Sequence, residues 1–165
     1  MFNPINAAFK KAKQEKRPAL LTYTVAGDST KKQSLDILKS ISKNADILEV
    51  GMPHNTPVAD GSQIQTSAYR AIKNGIKIND IFKIVKDFKK FDNSKPVILM
   101  GYYNMIFQFG ENKFLKVFND FKDIIDLNSI FDCSICTSLD LASICDRSIV
   151  RNSYFKNINI FRDLF

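Results

Sequence analysis

The chain reads as an α/β fold in which parallel strands alternate with outer helices. Three observations carry that reading. Short runs rich in β-branched and apolar residues recur at Ala19–Val25, Ile47–Val50 and Pro96–Met100, each followed closely by glycine. Longer segments with helical apolar spacing separate them. Strand–helix alternation requires crossover connections, and crossovers give a parallel sheet. With 165 residues, 45% of them apolar and 25% charged, the chain can build one core and belongs to no disordered or fibrous class.

Asn3-Pro4 opens the first helix as an N-cap followed by proline at the first helical position. Ile5, Ala8, Phe9 and Ala12 form its apolar stripe, and Pro18 ends it. Ala19–Val25 is the first strand, with Ala26-Gly27-Asp28-Ser29 as the turn out of it. Asp28 either hydrogen-bonds within that loop or stabilises the N-terminus of the helix that follows. That helix, Lys31–Asn44, presents Leu35, Leu38 and Ile41, with Ile37 flanking. After the second strand a helix from about Ser62 to Asn74 ends on Gly75 as a left-handed cap. Asn79 is expected to cap a further helix whose inward face is Ile81, Phe82, Val85 and Phe88. Beyond the third strand, Tyr102, Tyr103 and Asn104 are expected in a loop. Helix Glu111–Lys122 then packs Phe114, Val117, Phe118 and Phe121.

The second strand is the informative one. Glu49 lies inside its apolar run. A strand in a parallel sheet is buried on both faces, and an ionisable group there costs several kcal/mol unless it is paired or functional. A second carboxylate, Asp60, follows in a loop bracketed by Pro57 and Gly61. An acid on a strand and another in the next loop is how an α/β barrel builds a site. The bland alternative has Glu49 capping a buried lysine and Asp60 N-capping the helix after Gly61. Spacing alone leaves both open, because structural networks also perturb carboxylates.

Leu48-Glu49-Val50-Gly51-x-Pro53, followed by Pro57-x-Ala59-Asp60-Gly61-x-x-Ile64-Gln65, resembles the signature of the tryptophan synthase α subunit family. Thr24-Val25-Ala26-Gly27-Asp28 upstream and Leu99-Met100-Gly101-Tyr102-Tyr103-Asn104-x-Ile106-Phe107 downstream match in order. The resemblance, which covers about residues 17–122, implies a partial (β/α)8 barrel of about three βα units, with residues 1–122 as the N-terminal part of the barrel domain. It implies a lyase that cleaves indole-3-glycerol phosphate to indole and glyceraldehyde 3-phosphate, without a cofactor. Glu49 falls on the family's acid–base residue and Asp60 on the residue that hydrogen-bonds the indole N–H. Tyr23, Met100 and Tyr102 fall where the family lines its indole pocket. The family's α chain pairs with a β subunit in an α2β2 complex. His54, Asn55 and Thr56 stand where many members have Phe, Ser and Asp, in a loop that meets the β subunit.

After about Lys122 the text changes. All six glycines and all five prolines lie at or before Gly110, and a continuing βα repeat needs such residues at its turns. Residues 123–165 therefore read as a divergent tail, through real divergence or, the preferred reading, a lost coding frame. Cys133-x-x-Cys136 with Cys145 lacks a fourth ligand for zinc, so these three thiols read as small apolar side chains and no metal is expected. The phosphate grip of a (β/α)8 barrel comes from loops after strands 7 and 8, which are not among the matched segments. The net charge of +7 comes from lysines scattered over helix faces, with no Arg-rich run, so no nucleic-acid partner is expected. Met1–Lys16 has no apolar run of signal-peptide length and no stretch reaches transmembrane length, giving a cytoplasmic expectation.

Overall fold

The computed structural model describes residues 4–56 and 60–119. Three strands, β1 (Leu21–Val25), β2 (Ile47–Gly51) and β3 (Val97–Met100), pair in parallel in the order β1-β2-β3. Helix α1 (Pro4–Gln14) precedes them, and α2 (Lys31–Ile41) crosses from β1 to β2. Two helices, α3 (Ser62–Lys73) and α4 (Ile78–Phe91), make the longer crossover to β3. The short helices α5 (Tyr103–Phe109) and α6 (Glu111–Asn119) follow.

The sheet has two unlike faces. On one, Leu48, Val50, Val97 and Leu99 are each at most 2% exposed. Leu38 of α2 and Ile81, Val85 and Phe88 of α4 are buried as completely, and these two helices pack side by side. Burying each such side chain contributes roughly 2 kcal/mol relative to leaving it in water. On the other face the register sets Tyr23, Glu49 and Ile98 in one row and Val25, Gly51 and Met100 in the next. Residues directly opposite one another share a face. This second face is only partly covered: Tyr23, Glu49, Ile98 and Met100 are all half-buried.

Three aromatic rings tie the later helices together. Phe82 of α4, Phe109 of α5 and Phe114 of α6 meet edge to face, with centroids 5.4, 5.8 and 6.2 Å apart. That is the arrangement aromatic quadrupoles prefer. At the N-terminal ends of β1 and β2, the Arg17 guanidinium donates to both Asp46 oxygens, at 2.6 and 2.8 Å. The Leu20 N–H adds a third bond at 2.8 Å. Those hydrogen bonds, Arg17's first, hold the Asp46 carboxyl well below the usual carboxylate range. Lys89 is buried, and its ammonium donates to the carbonyls of Asn93 and Lys95 at 2.8 and 2.9 Å, closing the turn into β3.

Three expectations need correction. Tyr103 and Asn104 are not in a loop: α5 begins at Tyr103, with Tyr102 as its N-cap, and seats the buried Ile106. Asn79 does not cap α4 but lies inside it. The cap position is Lys77, whose own N–H donates to the carboxylate of Asp80, the third helical residue, at 3.1 Å. Asp28 takes neither of its expected roles. Its carboxylate receives Ser67 Oγ at 2.9 Å and the Arg70 guanidinium at 2.6 and 2.8 Å, docking α3 against the β1 turn. Gly75 follows the expected pattern, at φ +73° directly after the C-cap Asn74. Phe121, the tail from Asp123 and the cysteines Cys133, Cys136 and Cys145 lie outside the described residues.

Candidate active site

Glu49 is the central residue of β2. Its neighbours Leu48 and Val50 face the buried core, so its own side chain faces the opposite way, in the row with Tyr23 and Ile98. Among the described residues no cation pairs with it, and burial pushes its pKa up. The capped-lysine alternative is not what is found, since the buried lysine, Lys89, is held by backbone carbonyls instead.

Tyr23 lies beside Glu49 in the register and leans towards the C-terminal end of β2. A Cβ at Gly51 would overlap the Tyr23 hydroxyl, so glycine is what admits the phenol there. The ring packs with Ile64 and Ile76 around Val25, Ala68 and Ala71, so α3 roofs this corner of the sheet. The Tyr23 hydroxyl is pushed up to about 12, first by burial and then by the charges of Asp60, Glu49 and Tyr102. These four groups therefore share one electrostatic neighbourhood.

Asp60 is half-buried just before α3, but it is not that helix's cap. Gly61 holds the cap position and makes no side-chain bond. Instead the Tyr102 hydroxyl donates to Asp60 Oδ2 at 3.1 Å, across 42 residues of sequence. The Asp60 carbonyl receives the Gln65 side-chain amide at 2.7 Å, which fixes the loop at its exit. Met100 stands opposite Gly51 on the same face, and its carbonyl receives the Met52 N–H at 2.7 Å.

One participant was invisible in the spacing. The His54 ring lies 4.9 Å from the Tyr102 ring, its Nδ1 accepts the Thr56 N–H at 3.0 Å, and its Nε2 is 2.9 Å from the Asn104 amide. This lone histidine thereby links the β2 exit loop to the start of α5. The sequence signal available was only that His54 and Asn104 each follow a strand end.

The geometry offers a half-buried carboxyl with no cation partner among the described residues, a second carboxylate steadied by a phenol, and flanking apolar groups in Ile64, Ile98 and Met100. It suits proton transfer next to a flat, largely apolar ligand. Among the described residues no three His, Cys, Asp or Glu side chains gather to hold a metal ion. No helix of the described residues is long and apolar enough to cross a membrane.

A parallel sheet with outer helices, one carboxylate on its middle strand and another in the loop beyond that strand, makes this chain part of a (β/α)8-barrel protein. The family model described as tryptophan synthase alpha chain matches residues 9–150. The chain belongs to the tryptophan synthase alpha chain family. It is 75% identical over 113 residues to the tryptophan synthase alpha chain of Pelagibacter ubique (strain HTCC1062), a match spanning 68% of this chain and 43% of that relative. A crystal structure of tryptophan synthase subunit alpha from Legionella pneumophila str. Paris superposes with a TM-score of 0.70 at 33% identity, covering 76% of this chain and 48% of that one. A structure concerning the tryptophan synthase α2β2 complex of Pyrococcus furiosus gives 0.61 at 39% identity, covering 66% and 45%. The chain thus spans less than half the length of these relatives.

Proposed function

We propose that this chain carries the acid–base half of a tryptophan synthase α active site, a lyase site for indole-3-glycerol phosphate. The observation that carries the reading is Glu49: a half-buried carboxyl with no cation partner among the described residues, beside Tyr23 and in the same neighbourhood as Asp60.

The reaction is a retro-aldol cleavage. The ring carbon C3 takes up a proton, and the carbinol hydroxyl on the attached carbon gives one up. The bond between the two carbons then breaks, its electron pair restoring the indole ring while the carbinol becomes an aldehyde. Glu49, whose pKa burial pushes up, delivers the first proton and receives the second. Asp60 accepts the ring N–H and offsets the positive charge that nitrogen shares once C3 is protonated. Tyr102 fixes Asp60 for that contact through the bond to Oδ2, leaving Oδ1 as the acceptor. Tyr23 and Met100 flank the ring with Tyr102. Only protons and one electron pair move, so side chains suffice without a cofactor.

The Pyrococcus furiosus relative is described in an α2β2 complex. By that likeness the exit loop carrying His54, Asn55 and Thr56 is the surface we assign to a β subunit, in the cytoplasm. Residues 1–122 would be the N-terminal part of the barrel domain and 123–165 a divergent tail, although the family match runs on to residue 150.

Remote phosphate binding orients the reacting end of such a substrate, and without it both binding and turnover fall. The 165-residue polypeptide is therefore expected to release no indole above a Glu49→Gln blank, with or without a β subunit. In that state it is a catalytically inactive remnant that can still bind a β subunit. Residues 1–119 fused to the part of the Pelagibacter ubique relative that follows its matched segment are expected to turn over. A fused protein that folds yet releases no indole would overturn the reading.

A further inference from the structure

The Tyr23 hydroxyl has a position that pocket lining does not require. It sits over Gly51, two residues beyond Glu49 on the same face, at the C-terminal end of β2. A ring that served only to pack could be phenylalanine: it packs against the apolar cluster of Val25, Ala68 and Ala71. Among the described residues nothing accepts the Tyr23 hydroxyl, whereas the Tyr102 hydroxyl is given to Asp60. A polar hydrogen carried into a half-buried site and given to no protein group is available to a ligand.

We propose that Tyr23 Oη–H is a specificity-determining donor that recognises a hydroxyl oxygen on the polyol side chain of the ligand, next to the oxygen that Glu49 deprotonates. The inference rests on the indole-3-glycerol reading of the site and adds to it which part of the ligand Tyr23 reads. The chemistry selects that partner. The indole N–H is itself a donor and has Asp60 Oδ1 as its acceptor, and the ring face takes no conventional hydrogen bond. The acceptors left near Glu49 are the hydroxyl oxygens of the side chain. Burial and the charges of Asp60 and Glu49 keep the phenol protonated through the physiological range, so the donor is present throughout it.

The test uses the 165-residue chain and two phosphate-free probes, indole-3-glycerol and indole-3-propanol, titrated to millimolar concentration by NMR. They share the ring, and the second lacks the two hydroxyls in question. Tyr23→Phe keeps the ring packing and removes only the donor. It is expected to weaken indole-3-glycerol binding about three- to tenfold, the worth of one neutral hydrogen bond, and to change indole-3-propanol binding less than about twofold. In the unsubstituted chain the Tyr23 13Cζ signal is expected to move with indole-3-glycerol and not with indole-3-propanol. Equal effects of Tyr23→Phe on both probes, or a 13Cζ signal that moves alike with both, would overturn the inference while leaving the indole site standing. Failure of both probes to bind would remove the indole site itself, and this inference with it.

Discussion

In the fused barrel, Glu49→Gln is expected to lower indole release by a factor on the order of 10² to 10⁴, the usual worth of one positioned acid or base. Glutamine fills the same space on β2 and keeps hydrogen-bonding capacity, but it cannot carry a proton between the carbinol and C3. Substrate binding should change little, so the loss belongs in kcat. Unfolding does not explain such a loss, and the sign of the pKa shift shows why. Burial raises the folded-state pKa of Glu49, so the native chain binds more protons than the unfolded one between the two pKa values. Stability therefore falls as pH rises through that window, and a neutral glutamine removes the cost. Glu49→Gln should melt no lower than the parent at pH 7, and the difference should close below the ordinary glutamate value near 4.3. Indole release within tenfold of the parent would remove Glu49 from the proposed chemistry.

Phe82→Ala is expected to cost about 3–5 kcal/mol, as truncation of a well-packed core phenylalanine does. Phe82 is 5% exposed and is the ring that both Phe109 and Phe114 lean on. Helices of seven and nine residues are too short to be stable by themselves, so α5 and α6 depend on that contact. Domains commonly hold only 5–15 kcal/mol in total, so the loss is a large share. Phe91→Ala supplies the contrast: Phe91 is 56% exposed, and its removal should cost far less. Denaturant unfolding of the 165-residue chain measures both. A Phe82→Ala loss below about 1 kcal/mol would mean that the aromatic triad is not what secures these helices.

The strands were legible because their signal is local. Ile47–Val50 and Val97–Met100 are apolar runs stopped by glycine, and a parallel sheet demands nothing more. Glu49 stood out for the same reason, as the lone acid in such a run. Helix α5 leaves no such signal, because seven residues give too few turns for a periodicity to register and Tyr102-Tyr103-Asn104 has the composition of a turn. The cap of α4 lies two residues before Asn79 because a carboxylate inside the helix, Asp80, accepts the N–H of Lys77. Contacts such as Tyr102 to Asp60 and Arg70 to Asp28 span 42 residues each, and no local pattern encodes which partner a loop acid will meet. The resemblance marked Asp60 and Tyr102 separately; that one holds the other follows only from the folded chain.

The claim on which the rest depends is that Glu49 is a proton-carrying group set apart from every cation of the described residues. Its most direct measurement is the carboxyl 13C titration of Glu49 in the 165-residue chain, with the signal assigned by its loss in Glu49→Gln. A midpoint above the ordinary glutamate value near 4.3 is expected, because burial disfavours the charged form. A midpoint at or below that value would mean that Glu49 is solvated or paired, and would contradict the account.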